Sequence, residues 1–139
     1  MAVKLTERMK AWIEAMGCHL NVASKNGSPW VTVAREVEST SDDEIVFLLS
    51  QDEYSVIKEP LAENPWVAIG PSGVGGIRAC YQWKGKGKVE KVGDKVKLTV
   101  KVLEVYCTKP GCYAGTRLDT MDFAECKEWE ADLWKDMPK

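Results

Sequence analysis

The spacing of apolar residues predicts a helix near the start of the chain. Apolar side chains recur at helical intervals from Leu5 to Met16. A stripe of this kind is typical of an amphipathic helix that covers a sheet. Thr6 can cap the start of this helix and Gly17 can end it.

Alternating apolar residues then predict strands. Two of them, His19–Ser24 and Trp30–Val37, flank Asn26-Gly27, a pair that tolerates the positive φ angles of a type I′ hairpin turn. A second polar turn is expected over 39–43. The next strand, Glu44–Ser50, is apolar on both faces, which indicates a central or covered position.

The middle of the chain predicts a short helix. It runs through YSVIKEPLAENP with Ser55 as its N-cap, and Pro60 falls just past its first turn. An Asn-Pro pair ends it. A short buried strand, Trp66–Ile69, and a flexible loop over 71–76 follow.

Two long strands, Ile77–Val92 and Lys95–Cys107, are predicted to turn at Gly93-Asp94. The second strand alternates regularly until its apolar phase slips at Leu103. One extra residue inserted as a β-bulge restores the inward face.

The chain ends in an extended piece, Tyr113–Leu118, and a helix that Asp119 can cap. No internal repeat or linker interrupts the sequence. We therefore expect residues 1–139 to form a single domain of the mainly β (α+β) class, built as a small antiparallel barrel.

Charge and cysteine content narrow the possible partners. The net charge is −2, from 19 basic and 21 acidic residues, so no overall basic excess favours nucleic acid. No apolar stretch approaches the roughly 20 residues that span a bilayer, and a cytoplasmic location without membrane contact is expected. The five cysteines match no zinc pattern, so no metal is expected. The alternating Lys84, Lys86 and Lys88 share a strand face, which is either solvated or attracts an anionic substrate or nucleotide.

Four segments between Asn26 and Glu90 resemble, in order, the FMN-binding split-barrel superfamily, whose best-known member is pyridoxamine phosphate oxidase. They are NGSPWVTVAR, EIVFLLSQ, SVIKEPLAENPWVAI and YQWKGKGKVEKV. The resemblance implies a six- to seven-stranded antiparallel split β-barrel with N-terminal, short middle and C-terminal helices.

The resemblance also implies a cofactor site. A helix N-terminus attracts anions, so Ser55 and Lys58 in the middle helix are expected to hold the FMN phosphate. The remaining residues implied to contact the flavin or border its pocket are Thr32, Val33, Ala34, Arg35, Ser50, Gln51 and Gln82.

Two departures from the family pattern affect the phosphate. The family's lysine falls at Ile57 and its second-strand arginine at Thr32, so the phosphate is expected to be held differently from the oxidase. Simpler roles stay open. Ser55 can serve only as a cap, Lys58 as a solvated charge, and Arg35 as an ion-pair partner of a neighbouring glutamate. His19, the one histidine, has the features of a structural residue.

The resemblance implies an FMN-dependent oxidoreductase with an unknown substrate, since no residue is an evident acid, base or nucleophile. A nicotinamide or another small molecule is a possible electron donor. The alternatives are a non-catalytic flavin or haem carrier or sensor, and a cofactor-free interaction module. A deazaflavin or haem can replace FMN in this superfamily. The resemblance and the six tryptophans predict a homodimer with flavin at the subunit interface.

Overall fold

A computed structural model describes residues 3–71, 81–108, 115, 117 and 118. These residues form one antiparallel sheet of seven strands in the order β2-β1-β5-β6-β7-β4-β3, with two helices. The elements are α1 (Glu7–Met16), β1 (Cys18–Ala23), β2 (Pro29–Ala34), β3 (Glu36–Thr40), β4 (Glu44–Leu49), α2 (Gln51–Glu63), β5 (Trp66–Pro71), β6 (Tyr81–Val92) and β7 (Lys95–Cys107).

This architecture confirms the predicted mainly β class and the first two helices. The predicted loop over 71–76 lies outside the described residues except for its first residue, Pro71, which ends β5. The predicted C-terminal helix lies wholly outside them. Of the predicted piece over 113–118, Arg117 forms an isolated antiparallel bridge with Tyr106.

The sheet curls because its two edge strands are consecutive in the chain. A single residue, Arg35, joins the edge strand β2 to the opposite edge strand β3. The prediction of one continuous strand, Trp30–Val37, is therefore wrong. The predicted turn over 39–43 is also shorter than expected, because β3 continues to Thr40. Curling brings the two edges near each other and produces a split barrel.

The barrel interior is filled by alternate side chains of the strands. The largest fully buried members of the core include Leu20, Phe47, Ile69, Trp83 and Leu98. Among the described helices, none is long and apolar enough to cross a membrane.

Helix α1 supplies further core side chains from its apolar face, and its predicted ends are confirmed. Met9, Trp12 and Ile13 are buried. Thr6 accepts a hydrogen bond from the Met9 backbone N–H at 3.2 Å. Gly17 ends the helix with a positive φ of 68°.

Helix α2 begins earlier than the sequence pattern predicted. Its N-cap is Ser50, whose hydroxyl accepts from the Glu53 N–H, while the Glu53 carboxylate accepts from the Ser50 N–H. This reciprocal capping box satisfies two N–H groups that a helix start leaves unpaired. The prediction of Ser55 as the N-cap is wrong, since Ser55 lies within the helix. Pro60, expected after the first turn, lies near the C-terminal end and is buried.

The hairpin between β1 and β2 has a different turn from the predicted type I′. Only Gly27 has a positive φ, 87°. The Gly27 N–H donates to the Ser24 carbonyl, and the Ser24 N–H donates to the Ser28 carbonyl. This arrangement is a three-residue loop in which a turn is followed by a left-handed glycine. The predicted hairpin position is correct, and the turn type is wrong.

The predicted bulge in the last long strand is confirmed. Lys84 pairs with Glu104 and Gly85 with Val102, so Leu103 is the extra residue on β7. At this point the two backbones come very close. A Cβ added to Gly85 would overlap the Lys101 carbonyl and lie 2.9 Å from the Val102 Cα. Glycine at this position therefore permits the bulge.

We expect Gly85→Ala to lower the free energy of unfolding by about 1–3 kcal/mol or more, because the new methyl overlaps backbone that cannot rotate away. Urea unfolding followed by tryptophan fluorescence measures the change. Gly70→Ala on β5 is the matched control, since a Cβ there meets nothing within 4 Å. Equal midpoints for the two variants would contradict this account of the bulge.

Candidate functional site

The outer face of the sheet carries the side chains that alternate with the core residues, and it has two unlike halves. On the half formed by β3, β4 and β7, ion pairs cross the surface of β4. Lys95 contacts Glu36 at 2.6 Å and Lys97 contacts Glu38 at 3.4 Å. In the register, the β4 residue Leu48 lies between Glu36 and Lys97. We call these two ion pairs the ion-pair ladder, and this half is a charged, solvent-facing surface.

The half formed by β2, β1, β5 and β6 carries fewer charges and more exposed apolar surface. Val31, Val33 and Trp66 are exposed by 50%, 39% and 39%. In the register, His19 lies between Val33 and Gly70. Gln82 comes one residue before Trp83, the partner of Ile69, and so shares a face with Gly70. We call Val33, His19, Gly70 and Gln82 the outer strip.

Beside the outer strip lies a cavity of about 430 Å³. Its floor is formed by small and apolar residues of β1 and β5, including Ala23 and Ala68, and Trp66 forms one wall. Lys84 and Glu104, which are cross-strand partners, border it on the side of β6 and β7. A shallow apolar surface with few polar groups at its rim suits a flat organic ligand.

The four consecutive residues predicted on the second strand do not form one surface. Thr32 and Ala34 are buried and point into the barrel, whereas Val33 belongs to the outer strip. Arg35 follows β2 and its side chain is 79% exposed. Strand alternation explains the division, because successive side chains point to opposite faces.

Glu53 joins three of the predicted site residues. Its carboxylate accepts from the Arg35 Nε at 3.1 Å and from the Arg35 backbone N–H at 3.3 Å. It also accepts from the Ser50 N–H at 2.8 Å, and its backbone carbonyl accepts from the Thr32 hydroxyl at 2.8 Å. We call Thr32, Arg35, Ser50 and Glu53 the Glu53 junction. It fastens the start of α2 to the point where the chain passes between the sheet edges.

The electrostatics of the junction favour an ionised Glu53. Partial burial raises the pKa of Glu53, but the Ser50 N–H and the Arg35 side chain and backbone N–H outweigh this effect. The pKa of Glu53 therefore lies below its ordinary value. Asp52 also lies in the first turn of α2. With these two carboxylates and a completed capping box, the N-terminus of α2 already has its negative charge.

The other predicted residues of α2 lie elsewhere. Gln51 and Lys58 line a cavity of about 260 Å³, together with Tyr54 and Lys91. The Gln51 side chain donates to the Asp94 carbonyl at 3.0 Å. Ser55 does not line this cavity, and its hydroxyl donates to the Asp52 carbonyl at 2.7 Å.

The structure thus divides seven of the nine predicted residues among three groups rather than one pocket, and Ala34 and Ser55 belong to none of them. Sequence reasoning missed Glu53, although the Ser-x-x-Glu spacing from Ser50 is the signature of a capping box. It did not single out Gly70, and His19, which it expected to be structural, is exposed on the outer face. No local signal identifies either residue, because strand pairing sets their neighbours.

The described residues offer little for nucleophilic or metal chemistry. Burial raises the pKa of the Cys18 thiol to about 12, which keeps it protonated. Cys107 is likewise buried. Within residues 3–71 and 81–108, no three His, Cys, Asp or Glu side chains are grouped so as to hold a metal.

Comparison with solved structures finds the same fold in several proteins. HupZ of Group A Streptococcus is 16% identical, with a TM-score of 0.63 over 80% of this chain and 99% of that chain. A candidate pyridoxamine 5′-phosphate oxidase from Lactobacillus delbrueckii is 15% identical, with a TM-score of 0.62 over 75% and 94%. The styrene monooxygenase flavin reductase of Pseudomonas putida S12 is 11% identical, with a TM-score of 0.51 over 75% and 89%.

No family model and no curated protein match the sequence. The solved structures nevertheless share the architecture of this chain over most of their length. Its fold is the antiparallel split barrel that these solved structures share, as the four sequence segments predicted.

We expect Glu53→Gln to lower the free energy of unfolding by about 1–3 kcal/mol at pH 7, because it weakens charge-assisted hydrogen bonds to Ser50 and Arg35. The pKa of Glu53 is lower in the folded than in the unfolded chain. Its stabilisation is therefore complete above the unfolded pKa of about 4.3 and disappears as the pH falls through the folded value.

Denaturant unfolding between pH 7 and pH 3 measures this dependence. The difference in stability between the unchanged protein and Glu53→Gln should shrink toward the acid end. Glu59→Gln, on an exposed position of the same helix, is the control and should change little. A difference that stays constant with pH would show that Glu53 acts without its charge.

Proposed function

We propose that this protein is a flavin-binding oxidoreductase that holds FMN against the outer strip. One observation carries the proposal, which is the likeness of its fold to proteins named as a flavin reductase and a candidate pyridoxamine 5′-phosphate oxidase. The division of the outer face supports the location. The half without the ion-pair ladder has the exposed apolar surface that a flat ring requires.

The residues of the outer strip fit a flavin ring. From Val33 on β2 to Gln82 on β6, the strip crosses three inter-strand spacings, or about 14 Å, which is long enough for a tricyclic ring. Gly70 leaves open space above β5. The Gln82 amide is suited to hydrogen bond with the polar rim of the ring. The exposed His19 side chain lies on the other side of Gly70 from Gln82.

For the phosphate we favour Arg35 among the predicted cations. Arg35 comes two residues after Val33, so it continues the same face of the sheet. Its side chain is 79% exposed, although its Nε donates a hydrogen bond to Glu53. A guanidinium fixed in this way presents several N–H donors to an anion. The N-terminus of α2 suits phosphate less well because Asp52 and Glu53 supply negative charge there. Lys58, in its separate cavity, is the second candidate.

Bound flavin would supply the redox chemistry, since it accepts electrons from a donor and passes them on. The chain itself would bind and orient the ring and keep water from one of its faces. Turnover of a nicotinamide donor by the flavin-loaded protein distinguishes an oxidoreductase from a flavin carrier. The visible spectrum separates FMN from a deazaflavin or haem, and from a cofactor-free module.

We also propose that two copies of the chain form a dimer with flavin at the subunit boundary. Val31 and Val33 lie on β2, which is an edge strand among the described residues. Exposed apolar edges favour pairing with another chain unless they are covered. A second copy on this edge would cover both valines and complete a flavin pocket over the outer strip.

We expect the protein to bind added FMN with quenching of flavin fluorescence. We expect Arg35→Ala to lower the affinity for FMN about tenfold or more, because a charge-assisted hydrogen bond to the phosphate is lost. Riboflavin, which has no phosphate, should lose much less affinity. Because Arg35→Ala also disturbs the Glu53 junction, the ratio of the two affinities is the informative measurement. Lys58→Ala is the matched variant from the other candidate cavity.

If Lys58→Ala selectively lowered the affinity for FMN and Arg35→Ala did not, the phosphate would be assigned to the cavity lined by Lys58. Equal losses of FMN and riboflavin in both variants would exclude the two cations as phosphate ligands. Absence of any flavin binding at millimolar concentration would refute the proposed function itself.

We expect Val31→Lys to weaken the dimer at least tenfold, because a charge replaces a valine that the proposed dimer would bury. Analytical ultracentrifugation with and without FMN measures this, and FMN should strengthen the dimer if it binds at the boundary. Val56→Lys on α2 is the control, since Val56 is also exposed, by 39%, but lies on another surface. A monomer that binds FMN stoichiometrically would show that one chain completes the pocket.

A further inference from the structure

A second cavity, of about 640 Å³, lies on the same outer face further along β6 and β7. Lys86, Lys88 and Lys101 line it, with Glu44 as its one acidic residue. Lys86 of this basic cavity is the cross-strand partner of Trp66, which lines the apolar cavity beside the outer strip. We call the two together the β6 groove.

Trp66 and Lys86 form the boundary between the two ends of the groove. They are direct cross-strand partners of β5 and β6. The Lys86 Nζ lies 5.6 Å from the centroid of the Trp66 ring, within the range of a cation–π contact. An aromatic surface is therefore next to a positive charge, with an apolar floor on one side and lysines on the other.

The charge pattern of the basic end differs from that of the ion-pair ladder. Lys86 lies directly opposite Lys101, and like charges in that position are destabilising. Asp43 contacts the Lys101 Nζ at 2.6 Å, which offsets part of the repulsion. Lys88 lies opposite the neutral Thr99. The three lining lysines exceed the one lining carboxylate, so the cavity favours an anion.

The apolar end favours a flat ring. Trp66 is 39% exposed, and an exposed indole can stack on an aromatic heterocycle. Ala68 and Pro29 complete an apolar surface below it. Lys86 and Lys88 are two residues apart on one strand face, about 7 Å, so a short polyphosphate can contact both.

We propose that the β6 groove binds a nucleoside diphosphate group, with its heterocycle against Trp66 and its phosphates at Lys86 and Lys88. The group can belong to a free nucleotide or to the corresponding half of a dinucleotide. This site goes beyond the proposed flavin function, because its residues are not those of the outer strip and binding at it requires no flavin.

Calorimetric titration of the purified protein with ADP, adenosine and pyrophosphate tests the proposal. We expect ADP to bind at least about tenfold more tightly than either fragment, because it contacts both ends of the groove. The double variant Lys86→Ala/Lys88→Ala should lower the affinity for ADP about tenfold, because each exposed charge contact contributes roughly threefold or more. The affinity for adenosine should not change. Trp66→Ala should weaken ADP and adenosine alike and leave pyrophosphate unchanged.

The matched control is Lys95→Ala/Lys97→Ala, which removes the same charge from the ion-pair ladder on the same face. It should leave ADP affinity unchanged. NADH identifies the source of the group. If NADH binds more tightly than ADP and is equally sensitive to loss of Lys86 and Lys88, the group belongs to a dinucleotide. If NADH and ADP bind equally, it belongs to a free nucleotide.

Three results would overturn the proposal. One is the absence of ADP binding at millimolar concentration. Another is an equal loss of ADP affinity in the ladder control, which would show non-specific attraction. The third is competition between FMN and ADP together with an equal loss of FMN in Lys86→Ala/Lys88→Ala, which would assign the groove to the flavin. The ADP titration contains no flavin. A protein that fails to bind flavin therefore leaves the nucleotide proposal unaffected.

Discussion

The Glu53 junction is the contact on which the closure of this barrel depends. The chain leaves one edge of the sheet and enters the other within a single residue, Arg35, whose backbone N–H has no strand partner at that point. Glu53 accepts from this N–H and also caps its own helix at Ser50. One partly buried carboxylate therefore fixes both the sheet edge and the start of α2. A neutral group could not match it, because hydrogen bonds to a charge are stronger.

Closure decides which surface is available for function. The barrel interior is packed with large side chains such as Trp83 and Phe47, so a ligand of the size of a flavin or nucleotide must bind outside. On the outside, the two halves differ in how their charges are matched. The ladder of Lys95 and Lys97 with their glutamates is internally neutralised. The half that contains Trp66 and the β6 lysines leaves apolar area and positive charge accessible to other molecules.

Low sequence identity and a shared fold are compatible here because few positions are geometrically constrained. Gly85 permits the close approach of β6 and β7 at the bulge, and Gly17 turns the chain with its Cβ position 2.8 Å from the Ala34 carbonyl oxygen. Most of the core requires only apolar side chains of suitable volume. Proteins that are 11–16% identical to this chain can therefore keep the same strand arrangement with different outer faces.

The sequence by itself determined the features that depend on neighbours along the chain. Helical spacing identified α1 with its caps, and the phase slip at Leu103 identified the bulge, since both are local periodicities. The capping box at Ser50 is also a local signal, since the Ser-x-x-Glu spacing stands in the sequence. Only the tertiary structure decided that β2 ends at Arg35, that His19 adjoins Gly70, and that Lys86 faces Lys101. Strand register and the curl of a sheet are set by packing between segments distant in sequence, and no local pattern specifies them.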